Sequence, residues 1–146
     1  MAMSTTTATV DETTRLYLAV GRLSRILRRS GSPGMGQGSI SALATLTYQG
    51  PMRLGDLAAR EGVAPPTLSR IVAALVESGF VLREADPQDG RASLVRATPE
   101  GERIMVGVRS ERLHELHNRL ERLTEQQRAA ITTALSALEE LVAEDV

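Results

Sequence analysis

The stretch MRLGDLAAREGVAPPTLSRIVAALVESGFVLREADPQDGRASLVRATPEG, residues 52–101, contains the pattern that decides the fold. Its first half holds two short helical patterns, Leu54–Arg60 and Pro65–Ser78. Gly62 lies between them and can adopt the left-handed conformation that a sharp interhelical turn needs. The prolines that open the second pattern fit the first turn of a helix, where their missing N–H groups have no helical partner to lose. This half therefore predicts a helix, a tight turn and a second helix.

The second half predicts a β-ribbon. Residues 80–84 and 92–97 have strand character, and residues 85–91 between them contain the turn dipeptides Asp-Pro and Asp-Gly. Helix, turn, helix and ribbon in this order are typical of a winged helix-turn-helix, a fold that places its second helix in a groove of DNA.

Further helical patterns flank this stretch. Apolar residues recur at three- and four-residue steps over Thr13–Arg29, and a glycine-rich connector, 31–38, separates them from a short helix at Ser39–Tyr48. A threonine cap and a proline open a long helix at Pro99–Leu120. Thr124–Gln127 is a capping box, which predicts a last helix.

The predicted fold is mainly α with a small β-wing, and helices at both ends serve dimerisation. Residues 1–12 form a flexible N-terminus, residues 38–98 the winged helix-turn-helix lobe, and residues 13–30 with 99–146 a helical dimerisation region. The same apolar residues would also suit an intramolecular core. The residues expected at the dimer interface share helical spacing and are Leu16, Val20, Leu23, Leu113, Leu116, Leu120, Ile131, Leu135 and Leu138.

Composition excludes several classes of protein. The chain has 146 residues and no cysteine, which rules out disulfides, thiolate metal sites and a cysteine redox switch. No apolar run approaches the roughly 20 residues of a membrane span, and the N-terminus lacks the features of a signal peptide, so a cytoplasmic protein is expected. No nucleotide motif or clustered Ser/His/Asp set indicates an enzyme or a cofactor.

The charge is distributed unevenly along the chain. The net charge is −1, and all 17 basic residues are arginine. Residues 1–50 carry five Arg against two acids, residues 51–100 six against seven, and residues 101–146 six against nine. Any phosphate-binding surface must therefore be local, and the acidic C-terminal part should face away from DNA.

The second helix of the pair has an outer face suited to reading DNA. Its apolar residues fall on one side, while the other side presents small groups around Arg70, which can fork onto guanine O6 and N7. Thr67 and Ser69 can bond phosphates or base edges. An ordinary amphipathic surface helix has the same period, although its polar face usually carries many Glu and Lys. The predicted contacts are Pro65, Pro66, Thr67, Ser69 and Arg70.

The ribbon supplies a second set of candidates. Arg91 at its tip is of the type that enters a narrow minor groove. Asp86 and Asp89 oppose such a contact electrostatically, and they either orient Arg91 or shape the turn. Arg83 and Arg96 on the strands are placed to flank the DNA backbone. Three further candidate phosphate contacts, or simply a solvated helix end, are Arg25, Arg28 and Arg29.

The chain resembles the MarR family of transcriptional regulators over nearly its whole length. The resemblance rests on LGDLAAREGVAPPTLSRIVAALVESGFV, on the wing pattern Asp89-Gly90-Arg91, and on Thr98 followed by Gly101. It implies a homodimeric, sequence-specific DNA-binding regulator, most often a repressor. In such a protein the helix from Pro65 enters the major groove of a pseudo-palindromic operator and Arg91 the minor groove. It also implies a ligand pocket between the dimer helices and the DNA-binding lobe.

Two positions depart from the family pattern. Ala64 replaces the usual serine before the prolines, which removes a side-chain cap worth about 1 kcal/mol. Ala73 replaces an acidic residue that can hold the wing arginine in place, so Asp89 is expected to take that role.

A ligand and two alternatives complete the expectations. A small phenolic or aromatic-acid ligand would need a cation and an apolar wall, for which the candidates are Arg15, Tyr17, Met35, Tyr48 and Arg70. His114 and His117 lie three residues apart and can bind zinc, which would make the protein a metal-responsive regulator, although two surface histidines are commoner. The other alternative is a winged-helix protein-interaction module without DNA binding.

Overall fold

Six helices and three short strands make up the parts of the chain that the computed structural model describes, residues 10–31 and 33–143. This is the mainly helical fold with a small β-wing that the sequence predicts. The chain divides into two units, one ending at Arg112 and the other beginning at Leu113, within a single long helix. In chain order the elements are α1 (Val10–Arg29), α2 (Gln37–Gln49), β1 (Met52–Arg53), α3 (Leu54–Glu61), α4 (Pro65–Glu77), β2 (Val81–Ala85), β3 (Ser93–Ala97), α5 (Pro99–Leu120) and α6 (Glu125–Val142).

The hydrophobic core of the first unit lies where α2, α3 and α4 meet the sheet and the start of α5. Each helix contributes the apolar face that its period predicts, because a side chain three or four positions along a helix returns to the same side. No described helix is both long and apolar enough to cross a membrane. The largest fully buried side chains are Ile40, Leu43, Leu46, Leu57, Leu68, Val72, Leu75 and Val81.

The sheet has three antiparallel strands in the order β1-β3-β2. Strands β2 and β3 pair from Val81 opposite Ala97 to Ala85 opposite Ser93. Strand β1 pairs with the other edge of β3, with Met52 opposite Val95. The sequence did not predict β1, because two residues are too short to display an alternating pattern.

The ribbon strands begin later than predicted, and hydrogen bonds explain both shifts. Phe80 lies before β2 because its N–H closes the end of α4 on the carbonyl of Leu75 at 3.0 Å. Ala92 lies before β3 because its N–H closes the wing turn on the carbonyl of Asp89, also at 3.0 Å. Both N–H groups are therefore unavailable for strand pairing at these positions.

Two helices begin earlier than predicted. Helix α1 begins at Val10, so residues 10–12 are helical rather than flexible; Asp11 and Glu12 lie in its first turn, where the helix dipole favours negative charge. Residues 1–9 lie outside the described residues. Helix α2 begins at Gln37 and includes Gly38, which was assigned to the connector. A Cβ on Gly38 would lie 3.1 Å from Ile71 Cδ1, so glycine lets α2 approach α4 closely.

The caps of the last two helices are as predicted. Thr98 Oγ1 accepts the N–H of Gly101 at 3.1 Å, and its hydroxyl donates to the carbonyl of Gly79 at 2.6 Å. In the second unit, Thr124 and Gln127 exchange both bonds of a capping box at the start of α6. These bonds satisfy N–H groups that have no partner within their helices.

Gly101 is the position where the ribbon and α5 come closest. It is buried, and a Cβ built on it would lie 2.2 Å from the carbonyl oxygen of Phe80. That oxygen already accepts the N–H of Thr98 at 3.0 Å, so it cannot withdraw without breaking the junction between β3 and α5. Steric exclusion therefore requires glycine here.

We predict that Gly101→Ala lowers the free energy of unfolding by about 1–3 kcal/mol, the usual cost of overpacking, as measured by urea denaturation followed by circular dichroism. Gly107→Ala is the matched control on the same helix, because nothing lies within 4 Å of a Cβ built there. It should raise the free energy of unfolding by about 0.5–1 kcal/mol through helix propensity. Equal effects of the two substitutions would contradict the steric argument.

Candidate nucleic-acid interface

The turn between α3 and α4 sets where the second helix begins. Gly62 adopts the left-handed conformation, with φ at 64°, and its N–H caps the end of α3. Ala64 is extended, and no side chain caps α4, as the departure at this position predicts. Pro65 is the first residue of α4. The start of α4 is therefore set by the backbone conformation of the turn and by Pro65, without a side-chain cap.

Helix α4 presents the predicted outer face. Leu68, Val72 and Leu75 are buried in the core on its inner side. On the outer side Ala73 is exposed, and Arg70 is exposed and forms no ion pair with any described carboxylate. Four of the five predicted DNA contacts are exposed: Pro65, Pro66, Thr67 and Arg70. The fifth, Ser69, is half-buried.

The tip of the wing presents Arg91. We call β2, β3 and residues 86–92 between them the wing. Arg91 is exposed, and no described carboxylate forms an ion pair with its guanidinium. The expectation that Asp89 holds this side chain in place is wrong. Asp89 Oδ1 accepts the backbone N–H of Arg91 at 3.1 Å, so Asp89 shapes the turn instead.

The two strand arginines lie on opposite faces of the ribbon. Arg83 is opposite Val95, whereas Arg96 is opposite Leu82, and successive residues of a strand point to opposite faces. Arg96 Nε lies 3.6 Å from a carboxylate oxygen of Glu84, which reduces its charge toward a phosphate. Arg83 is exposed and has no such partner among the described residues. The structure therefore does not bring this pair of arginines together.

Asp86 is a buried carboxylate at the base of the wing, and of the two roles expected for it the structure shows the one in the turn. Its residue is 8% exposed, and its Oδ2 accepts Nε and Nη2 of Arg53 at 3.0 and 2.8 Å. Its Oδ1 accepts the N–H of Gln88 at 2.9 Å, and its own N–H donates to the carbonyl of Ala92 at 3.0 Å. Asp86 thus fastens the wing to β1. The partners are 33 residues apart, so only the undetected strand β1 would have indicated the pair.

Arg53 and Asp86 each stabilise the charged form of the other. The N–H of Gln88 and then the Arg53 side chain hold the pKa of the Asp86 carboxyl below its usual value. The hydrogen bond and charge of Asp86 in turn raise the pKa of the Arg53 guanidinium. Asp86 therefore stays ionised at neutral pH, and Arg53 balances its negative charge.

A cavity of about 190 Å³ lies between α1, α2 and α5 in the first unit. We call it the arginine cavity; its lining residues are Arg28, Gln37, Ile40, Ser41, Ala44 and Arg112. Arg28 and Arg112 also border an adjoining groove of about 360 Å³ with a wall of Val20, Leu23 and Leu27. The Nε of Arg112 is buried and has no hydrogen-bond partner. The cavity thus combines cationic groups with an apolar wall.

None of the residues expected to form a ligand pocket lines this cavity. Tyr17, for example, is 76% exposed on α1. Of the three candidate phosphate contacts at the end of α1, Arg28 is exposed, lines the cavity and donates from Nε to the carbonyl of Ser24 at 3.4 Å. Arg25 and Arg29 are exposed.

His114 and His117 are exposed on α5. In the ranges that the structure describes, no group of three or more His, Cys, Asp or Glu side chains is placed to hold a metal ion. Glu115, which lies between them, forms an ion pair with Arg119 at 2.6 Å. The metal-responsive alternative therefore has no ligand set in this part of the chain.

Comparisons with known proteins agree with this geometry. The MarR family profile matches residues 37–93. An HTH-type transcriptional regulator of Mycobacterium leprae is 39% identical over 130 residues, 88% of this chain and 91% of the relative. The crystal structure of RV1404 from Mycobacterium tuberculosis is similar with a TM-score of 0.78 and 27% identity, over 97% of this chain and 99% of the other. A mutant MarR from E. coli shares the fold with a TM-score of 0.75 at 21% identity, over 90% and 98% of the two chains.

We predict that the Arg53–Asp86 attachment of the wing to β1 is lost only in acid. Because the pKa of Asp86 is lowered in the folded protein, its contribution to stability is complete above its ordinary pKa, about 3.9, and disappears as the pH falls through the lower folded value. In a carbon-detected NMR titration, Arg53→Ala should raise the pKa of Asp86, though not fully to its usual value, since the N–H of Gln88 remains. Arg83→Ala is the control and should leave it unchanged. A pKa that does not respond to Arg53→Ala would refute the pair as a cause.

Proposed function

The chain belongs to the MarR family of transcriptional regulators, which are non-enzymatic DNA-binding proteins, and from this premise we propose that it is a homodimeric repressor of a pseudo-palindromic operator. The observation that carries the proposal is the pair of unpaired arginines, Arg70 on the outer face of α4 and Arg91 at the wing tip. One lies on the element that the family inserts into the major groove and the other on the element that follows the minor groove.

Major-groove reading follows from the outer face of α4. Pro66, Thr67 and Ala73 are small, so the helix can lie deep in the groove, which is about 12 Å wide. Arg70 then reaches base edges with an uncompensated charge, and bidentate bonding to guanine is the pairing that its geometry favours. Ser69 and Thr67 add hydroxyls for phosphates or bases. We therefore expect a guanine in each half-site.

Minor-groove contact follows from the wing. Arg91 is exposed at the tip of a ribbon whose base is fastened by Asp86 and Arg53. A fixed base costs less conformational entropy on binding than a flexible loop would. A narrow, A·T-rich minor groove has an enhanced negative potential that attracts an arginine. We therefore expect A·T pairs flanking each half-site.

Dimerisation is supported by apolar side chains that the single chain leaves uncovered. Helices α1 and α6 contain no buried residue. Two of the predicted interface residues, Leu116 and Leu120, are half-buried, and the other seven are exposed. A second copy would remove this surface from water, and two-fold symmetry would then set two α4 helices about one DNA turn apart. The exposed seven are Leu16, Val20, Leu23, Leu113, Ile131, Leu135 and Leu138.

A small aromatic acid is the ligand class that the arginine cavity fits. Arg112 has a buried, unsatisfied Nε, and a carboxylate is the acceptor that would satisfy it. The adjoining wall of Val20, Leu23 and Leu27 suits an aromatic ring, which would lie against the proposed dimer interface because Val20 and Leu23 belong to both. A ligand that binds more tightly to a dimer whose two α4 helices are wrongly spaced for the operator shifts the protein toward that state. The protein then releases the operator. A DNA-binding regulator acts where its DNA is, so we also place the protein in the cytoplasm.

We predict that Arg70→Ala weakens operator binding by about 1–3 kcal/mol and relaxes the preference for guanine, because it removes a base contact. Arg91→Ala should weaken binding mainly to sites with A·T flanks. The measurement is fluorescence anisotropy with operator duplexes that carry single base changes, at several salt concentrations.

Arg122→Ala is the control for this experiment, since it removes the same charge from an exposed residue outside the winged lobe. It should leave sequence preference intact. An affinity of the wild-type protein for DNA that depends on neither salt nor sequence would overturn the regulator proposal. Neutralised phosphates must release counterions, so the affinity of a true DNA-binding protein falls as the salt concentration rises.

We further predict that Leu135→Glu converts the dimer to monomer at micromolar concentration, because it buries a carboxylate in the apolar interface. Analytical ultracentrifugation measures this, and Ser136→Glu, on the neighbouring face of α6, is the matched control. A Leu135→Glu protein that still sediments as a dimer would remove α6 from the proposed interface.

A further inference from the structure

Glu61, the last residue of α3, accepts hydrogen bonds from two hydroxyls of α2. Ser41 Oγ donates to Oε2 and Thr45 Oγ1 to Oε1, each at 2.5 Å. Ser41 and Thr45 are four residues apart, so both lie on one face of α2. We call these three residues the Glu61 clamp. The clamp ties the end of α3 to α2.

Glu61 does not stabilise α3 itself. The C-terminal end of a helix carries partial negative charge, which disfavours a carboxylate. The two hydroxyls offset that cost by bonding both carboxylate oxygens. Between Glu61 and Pro65, the first residue of the recognition helix α4, lie only the three residues of the turn. The end of α3 therefore sets the start of α4, which has no side-chain cap of its own.

Ser41 belongs both to the Glu61 clamp and to the wall of the arginine cavity, where Arg28 and Arg112 also lie. A serine hydroxyl has one proton to donate. In the structure the hydroxyl of Ser41 donates that proton in its hydrogen bond to Glu61 Oε2. An anion between the two arginines would offer a competing acceptor and would also repel the carboxylate.

We propose that Glu61, held by Ser41 and Thr45, is a positioning residue for the recognition helix, and that an anion in the arginine cavity weakens DNA binding by taking the Ser41 hydroxyl from it. Both halves rest on the proposed function, because each needs an operator, and the second also needs an anionic ligand. With the Thr45 bond alone, the end of α3 is free to shift, and the start of α4 shifts with it. The ligand then lowers operator affinity by the ratio of its affinities for the two states.

The first half is tested with Thr45→Val, which keeps the shape of the side chain and removes one bond of the clamp. Because that bond is to a charged group, operator affinity should fall about tenfold. Thr47→Val is the matched control, since the Thr47 hydroxyl bonds the Leu43 carbonyl within α2 at 2.8 Å. It should change affinity less than about twofold, and Thr45→Ser, which restores the hydroxyl, should recover wild-type affinity. Equal operator affinities for Thr45→Val and Thr47→Val would overturn the positioning role, and thermal melts of each variant establish that both are folded.

The second half is tested with Ser41→Ala and with benzoate as the probe. Calorimetry measures benzoate binding to the free protein, and anisotropy measures operator affinity with and without saturating benzoate. In the wild type, benzoate should reduce operator affinity by about fivefold or more, a typical allosteric coupling. Ser41→Ala should still bind benzoate through the arginines, should bind operator more weakly without it, and should show no further loss when it is added.

The outcomes separate the two proposals. A Ser41→Ala protein that loses as much operator affinity to benzoate as the wild type would overturn the relay through Ser41. A wild-type protein that binds operator but not benzoate would overturn the anionic-ligand part of the proposed function and the relay with it, while the Thr45 comparison still decides the clamp. A wild-type protein that binds no operator would overturn the proposed function and both halves of the inference.

Discussion

Burial of one face of the recognition helix is the constraint on which the rest of the molecule depends. Leu68, Val72 and Leu75 point into the core, and each fully buried apolar side chain contributes roughly 1.5–3 kcal/mol. A rotation of α4 about its axis by one residue, about 100°, would expose these side chains to water. The free energy lost with their burial excludes it. The rotation of the helix is thereby fixed, and with it the outward direction of Arg70. Since no side chain caps α4, its axial position depends on what holds the end of α3.

The turn of the wing obeys a different rule: strands β2 and β3 pack on the core through Val81, Val95 and Ala97, whereas the turn is held by a buried charge. Asp86 is fastened to Arg53 of β1 and to the backbone of the wing turn. Removing Arg53 would leave the buried Asp86 without its countercharge, so the contact acts as a specific attachment although the Arg53 side chain itself is half-exposed. The tip arginine, Arg91, then needs no carboxylate to hold it in place. The shape of the wing turn therefore does not depend on an acidic residue at the position of Ala73, where the family often has one.

The sequence predicted what depends on local periodicity and missed what depends on distant pairing. The helices, the left-handed Gly62 and the outer face of α4 follow from patterns within a few residues, and they were predicted correctly apart from the starts of α1 and α2. Strand β1, two residues long, has no pattern of its own, and without it the contact of Arg53 with Asp86 is invisible. Asp89 was assigned the wrong partner because proximity in sequence favoured the Arg91 side chain, whereas the turn brings its backbone N–H closer. The arginine cavity could not be predicted for the same reason: its lining residues come from three helices far apart in the chain.

The central claim is that two copies of this chain present two α4 helices at a fixed spacing to DNA. Selection of bound duplexes from a random pool, followed by sequencing, tests this directly. We expect enrichment of a pseudo-palindrome whose half-sites lie about 10 bp apart from centre to centre. Each half-site should contain a guanine and have A·T-rich flanks. Failure to enrich any sequence, or enrichment of a single asymmetric half-site, would contradict it.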